Sequence, residues 1–563
     1  MGLDSGLIGA WDLSRDGRDG SGHDLHAVAR GAVEIGAPGD ASFDRPVARF
    51  RGAGRLEVRP PAGLGARDIS VAAWVSAAAD PATVLGDVVS WFDPSRRSGF
   101  TLGFEHGAPC GSHGNDRTAW FGVDTGTYPR LVDHGRPGTA TVMVCSLASF
   151  EGDLYAATWE DGPDPRGRVH RLRAGGWEDC GSPWDANAVT RLAVHRGSLY
   201  AGVSRLRGGG SGRDDSANQK PGGRVLRFEG GRSWSDQGQL AEADSVAALI
   251  PFRGALYAAP MYSEGVFRLD RLGSWTWCGS PGRRLLALGV HAGALYGAGN
   301  DHAHVDSAIA LTKAGVVVPA RSAAGGGGVF RYDGGERWTS RGLQPDTTQL
   351  YSIETYGGRM HVGTWPTGAV FRAADLDAAG DAGWESIGRL GAETEIMNLQ
   401  SYNGKLYAGT LPHAQLYRYD GDADWALLGT IDETPDVRYR RAASMVVFRG
   451  ELFVGTLPSG NVHSLRTGAV ATFDRSLAAG WHHLAGVRES GRVSLFVDGV
   501  EVAAGTEEGA GGPFERDRNV PLILGGGPRA DFEGDLAAVR LWDRALDTEE
   551  IRVLAGHRAE RID

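Results

Sequence analysis

Lysine is nearly missing from this chain. Of 58 basic residues only Lys220, Lys313 and Lys405 are lysine, so the positive charge is almost wholly guanidinium. With abundant Ala and Gly, that bias reads as GC-rich coding rather than as a function. Asp and Glu number 69 and the net charge is −11, which argues against general nucleic-acid binding. Cysteine is scarce too: Cys110, Cys145, Cys180 and Cys278 do not form the pattern of a disulfide framework. No apolar run approaches the roughly 20 residues of a membrane helix, so membrane insertion is not expected. No leader is expected at the start, since MGLDSGLIGAW enters a strand-like pattern almost at once. An extracellular or cell-surface location is expected of a mature form, and a cytoplasmic one stays open. What is abundant is glycine, 86 residues without a collagen period, which suits a turn-rich all-β protein. The length calls for more than one core.

A phrase recurs seven times through the middle of the chain. It is an apolar run, an aromatic or His, a two-residue turn ending in Gly, then Leu-Tyr and a small residue. It reads SLASFEGDLYAAT from Ser146, RLAVHRGSLYAGV from Arg191, ALIPFRGALYAAP from Ala248 and LALGVHAGALYGA from Leu286. It continues with LYSIETYGGRMHVGT from Leu350, NLQSYNGKLYAGT from Asn398 and MVVFRGELFVGT from Met445. The spacing, roughly 40–65 residues, is that of propeller blades. Turn dipeptides such as Asn403-Gly404 between short apolar strands are hairpin chemistry. A third strand follows, then a fourth carrying Trp and Gly, as in WEDCGSP from Trp177. Four strands in seven units predict a seven-bladed, kelch-like β-propeller. The seventh unit lacks its Trp-Gly strand, and PRLVDHGRP from Pro129 aligns with the missing piece. Residues 129–136 are therefore expected to close the last blade, which leaves no open seam.

The flanks look like two halves of one further domain. The first half reads GLIGAWDLSRDGRDGSGHDLHAV, ARFRGAGRLEV and DISVAAWV. The second reads GWHHLAGVRESGRVSLFVDGVEVA, LILGGG and FEGDLAAVRLWDRALDTEEI. These resemble successive signatures of the laminin-G-like, concanavalin A-like jelly roll. Alternation alone supports only a two-sheet antiparallel domain. The expected organisation is a jelly roll split into 1–127 and 468–563, with the propeller inserted at 128–467. Both ends of the insert belong to blade seven, which keeps them close together. In such jelly rolls a structural calcium commonly lies between the first loop and the last strands. The resemblance implies Asp19 and Asp535 as its acidic ligands, although Arg51 and Arg55 stand where acids are common.

The long insertions, SRLRGGGSGRDDSANQKPGG from Ser204 and the stretch from Asn300, fall on one face of the propeller. Binding loops are often built this way on a rigid scaffold. That face should carry Trp159, Tyr262, His302, His304, Trp365 and His413, which could stack on and orient sugar rings. Trp159 and Trp365 could equally fill spaces between blades. Arg191, Arg284 and Arg441 lie near the starts of innermost strands and could form a collar for carboxylate or sulfate groups. The alternative is that they pair with neighbouring acids. His302 and His304 with Asp301 form only a loose cluster for metal. Segments such as RYDGGERW from Arg331 resemble the Asp-box of sialidases, with Arg331 in place of the serine. A Tyr351–Glu354 pair was the imaginable nucleophile of that resemblance. The functional expectation is a protein that binds carbohydrate or another surface ligand. A polysaccharide-active hydrolase or lyase and a structural interaction module are the alternatives. The jelly roll should sit on the tight-turn face and leave the long-loop face open.

Overall fold

The computed structural model describes residues 2–59, 67–270, 273–300, 327–343, 347–377, 383–507, 512–514 and 519–556. His302, His304 and most of the second long insertion lie outside the described residues. The middle of the chain forms seven four-stranded antiparallel sheets, the first two joined by a single bridge, Trp159 to Ala188. Innermost strands are Thr141–Phe150, Ala188–His195, Ala248–Phe252, Arg284–His291, Gln349–Tyr356, Glu395–Tyr402 and Arg441–Phe448. Each packs against the next, and the seventh packs against the first, so the ring is closed. The outer strand of blade seven is Arg130–Asp133, paired with Val462–Arg466 in the register Asp133 to His463.

Two repeated features of the sequence have direct physical causes. At all seven first hairpins both turn residues have positive φ, from Glu151-Gly152 to Arg449-Gly450, with Asn403 at 42° and Gly404 at 76°. This is the turn whose twist matches the flanking strands, and it requires Gly at its second place. In blades one to six the tryptophan of the fourth strand anchors each blade to the one before it. The indole N–H of Trp234, Trp275, Trp338, Trp384 and Trp425 donates to Cys180, Gln237, Cys278, Arg341 and Ile387 carbonyls at 2.7–3.0 Å. Trp177 of blade one donates to His134, just past the outer strand of blade seven, at 3.1 Å. The Asp-box-like acids have a structural task here: Asp333 accepts from Arg331, and Asp420 takes both arms of Arg418.

Strands from 7–125 and from 469–542 interleave in one thirteen-stranded antiparallel system. Ile69–Ala77 lies between His482–Glu489 and Glu533–Trp542, with Trp74 opposite His483 and Trp11 opposite Val539. Trp11, Trp91 and Trp542 are among its fully buried side chains. Helix Thr548–Gly556 covers one side through Ile551 and Leu554.

The sandwich sits on the propeller face that carries the tight first-hairpin turns. Gly357 and Gly358 donate to the Pro528 and Arg529 carbonyls, and the Asn403 amide donates to Val123. From the sandwich a loop between Ser98–Gly107 and Asn115–Thr125 enters the central channel. Its short turn, Pro109–Gly111, packs against the innermost strands of blades three to seven. Ser112 and His113 form parallel bridges with Leu249 and Ala193 of blades three and two. Ser149 of blade one donates to the Gly114 carbonyl, and Asn115 exchanges two hydrogen bonds with Val447 of blade seven. The sandwich therefore plugs the channel, and the plug satisfies backbone groups of the inner strands of blades one, two and seven.

Candidate functional site

Above the plug, toward the long-loop face, the channel widens into a cavity of about 320 Å³. Cys110 at the tip of the plug is part of its lining. Burial pushes that thiol above its ordinary range. Four unpaired, buried cysteines agree with the absence of a disulfide framework.

Three guanidinium groups converge on the cavity from blades two, four and seven. Arg191 donates to the Thr190 and Ala247 carbonyls, Arg284 to Met261 at 3.4 Å, and Arg441 to Gly210. Backbone carbonyls thus help to hold these arginines in place. Gly210 belongs to the blade-two insertion, whose short turn Gly209–Ser211 leans over the cavity. Inside that insertion Gly208 donates to Asp215, and Arg213 pairs with Asp161 of blade one, which ties it to the scaffold. Tyr262 and Trp365 supply aromatic surface. Arg207 stacks at 4.3 Å over the Tyr262 ring, and its backbone N–H donates to the Tyr262 hydroxyl.

Two acids among the described residues face this positive wall: Asp215, which accepts from the Gly208 N–H, and Glu395. Glu395 is 3 % exposed and lines the cavity beside Tyr351 and Arg441. Burial raises its pKa to about 7, with Arg441 and a Tyr351 hydrogen bond only partly offsetting the cost of the charge. Tyr351 donates to Gln349 at 2.5 Å, and burial holds its phenol well above the ordinary value. A carboxyl titrating near neutrality beside a phenol and three guanidiniums can bind an anion and can exchange protons.

Five expected site residues meet at this cavity: Arg191, Arg284, Arg441, Tyr262 and Trp365. Trp159 does not. It is 2 % exposed, packed among Met143, Cys145, Ala188, Ala443 and Leu457, so it fills space between blades. His413 is exposed beyond the cavity lining and is held by buried Glu393. Glu354 is no partner of Tyr351, because it bonds Arg529 of the sandwich at 3.1 Å. Glu395, another of the charges near the starts of the innermost strands, also lines the cavity, as does Tyr439, which the sequence did not single out. A charged residue opening an otherwise apolar innermost strand, as in EIMNLQSY, was the available signal.

The two acids implied as calcium ligands have other partners. Asp19 accepts from the Ala10, Ser21 and Leu25 backbone N–H groups and from the Ser21 hydroxyl. Both arms of Arg49 hold Asp535, at 2.9 and 3.0 Å. An ion there would have to displace that guanidinium. Among the described residues, the cluster with three possible ligand atoms close together is His106, His113 and Asp116.

Residues 451–552 match the concanavalin A-like lectin/glucanase superfamily in its laminin-G-like form. The match covers the second half of the sandwich and the end of blade seven. Solved structures similar to this chain include a streptogramin B lyase, at 10% identity and TM-score 0.43, covering 60% of this chain and 98% of that one. A virginiamycin B lyase from Staphylococcus aureus with quinupristin gives 9% identity and TM-score 0.43, covering 60% and 99%. YCF48 bound to D1 peptide gives 13% identity and TM-score 0.37, covering 61% and 96%. At such similarity they carry no argument about activity. No curated protein matches the sequence. No helix among the described residues is long and apolar enough to cross a membrane.

Proposed function

We propose that the protein binds an acidic saccharide, a sugar ring carrying carboxylate or sulfate, in the cavity at the propeller's long-loop face. The observation that carries this reading is the convergence of Arg191, Arg284 and Arg441 with Trp365 and Tyr262 around one cavity. Guanidinium recognises planar anionic groups, and aromatic surface accepts the apolar face of a sugar ring. A concanavalin A-like sandwich in the same chain fits a carbohydrate-related role. An extracellular or cell-surface setting follows from this reading as part of the proposal.

The test is titration calorimetry of the full chain against uronic-acid and sulfated oligosaccharides, with neutral oligosaccharides as controls. Acidic sugars should bind with a salt-dependent affinity. Arg284→Met and Arg441→Met should each cost about 1.5–3 kcal/mol, roughly 10- to 150-fold in Kd. Equal binding of neutral sugars, or affinity untouched by both substitutions, overturns the reading. Glu395 and Tyr351 favour a second reading, a polysaccharide-active enzyme, in which they would act as acid and base. Product analysis of the same mixtures decides it: a lyase leaves an ultraviolet-absorbing unsaturated sugar, a hydrolase leaves new reducing ends, and a binder leaves the substrate intact.

A further inference from the structure

The plug itself holds chemistry that neither the cavity nor the fold requires. His106 ends one strand of the plug hairpin, Asp116 begins the other, and His113 lies on the loop between them. All three are buried, at 4 %, 7 % and 2 % exposure. One nitrogen from each imidazole and one carboxylate oxygen lie within 4.8 Å of one another. The two rings meet edge to face at 4.5 Å.

The hydrogen bonding of this cluster is incomplete. His113 Nδ1 lies 3.0 Å from the Val194 carbonyl, so Nδ1 carries the proton and Nε2 presents a lone pair. That Nε2 is buried and has no hydrogen-bond partner. His106 Nδ1 is 3.2 Å from Asp116 Oδ1, yet outside hydrogen-bond geometry. Asp116 Oδ2 is oriented by the Ser476 hydroxyl at 3.1 Å. A buried imidazole nitrogen without a partner, here His113 Nε2, is costly unless something else takes its lone pair. A backbone carbonyl on the far imidazole nitrogen and a hydroxyl on the carboxylate are the outer contacts that orient metal ligands.

We propose that His106, His113 and Asp116 bind a divalent transition-metal ion, zinc by ligand chemistry, which staples the plug inside the propeller channel. Two imidazoles and one carboxylate suit zinc, whose tetrahedral ligand atoms sit about 3.3–3.5 Å apart, so a small inward rotation of the rings would bring three protein ligands onto the ion, with a water as the fourth. The hard oxygen cages that calcium and magnesium prefer are not what two imidazoles offer. His113 also bridges to Ala193 of blade two, so the ion would couple sandwich to propeller rather than stabilise either alone. The proposal is independent of what the cavity binds.

The test is metal analysis of the full chain, purified without chelator and with any affinity tag removed. Stoichiometric zinc is expected. Stripping with dipicolinate should lower the melting temperature, and added zinc should restore it. Cobalt(II) loaded into the stripped protein should show the intense visible bands of a four-coordinate site, lost in His113→Gln and Asp116→Asn. If a variant does not fold, the wild-type cobalt spectrum and zinc rescue decide the matter. A stripped protein that neither gains stability from zinc nor gives those bands overturns the proposal. So does a folded His113→Gln variant that keeps its full metal content.

Discussion

Replacing Arg529 by Met should loosen the joint between sandwich and propeller, and the cost should depend on pH in a defined direction. Arg529 is 2 % exposed and donates to Glu105 of the sandwich at 2.8 Å and to Glu354 of blade five at 3.1 Å. Asp87 accepts its backbone N–H at 2.9 Å. One cation thus serves three buried carboxyl groups. Burial raises Asp87 and Glu354 to about 7 and pushes Glu105 upward as well. Acids whose folded pKa lies above the unfolded value bind extra protons on folding. Their stabilisation is therefore largest in acid and falls as pH rises from about 4 through about 7. Removing the guanidinium at pH 8 leaves ionised carboxylates buried without a counter-charge, a loss of about 3–5 kcal/mol. At pH 5 Asp87 and Glu354 are protonated in the folded protein, and the loss shrinks toward that of missing hydrogen bonds, about 1–2 kcal/mol. Urea unfolding of the full chain, followed by tryptophan fluorescence at both pH values, measures the difference directly. A cost that is equal at pH 5 and pH 8, or below about 1 kcal/mol at pH 8, would refute the assignment of Arg529 as the counter-charge of this cluster.

Gly114→Val should undock the plug, because its Cβ would fall 2.5 Å from the Leu147 carbonyl oxygen and 2.9 Å from Val446 Cγ2. A loss of about 1–3 kcal/mol is expected in the same urea assay, with faster proteolysis of the 107–115 loop as the local readout. Trp159→Ala should lower stability by about 3–5 kcal/mol while leaving ligand affinity unchanged. Trp365→Ala should do the reverse, weakening an acidic saccharide by about 1 kcal/mol with little change in melting temperature. Affinity for an anionic sugar should fall as pH rises through about 7, because Glu395 then becomes a carboxylate inside the same cavity. Glu395→Gln should flatten that profile in calorimetry between about pH 6 and pH 8.

What the sequence made legible and what it hid divide along a physical line. Blade strands, X-Gly hairpins and fourth-strand tryptophans depend on neighbours within one or two repeats. Local pattern therefore reports them, down to the outer strand of blade seven at Arg130–Asp133. Trp159 and Trp365 end the second strands of blades one and five, in the similar phrases AATWED and VGTWPT. Yet one is core and the other faces the cavity. The difference is set outside the motif. Leu206, from the insertion of the next blade, packs on the Trp159 cluster, and Arg213 from that insertion lies 5.7 Å over the Trp159 ring. No pattern internal to blade one could announce it. The plug is the stronger case. HGAPCGSHGND has neither helical nor strand periodicity, and alone it reads as a surface loop. Its small residues acquire meaning only in a channel where the backbone approaches seven inner strands at once. Gly114 then has no room for a side chain, and Gly111, at φ 74°, turns the chain within the ring. The cavity follows the same logic. Arg191, Arg284, Glu395 and Arg441 each look like an isolated charge near the start of an apolar strand, and only closure of the ring makes them neighbours. A site assembled at the axis of a propeller draws its residues from several blades, so its chemistry belongs to the ring and to no single repeat.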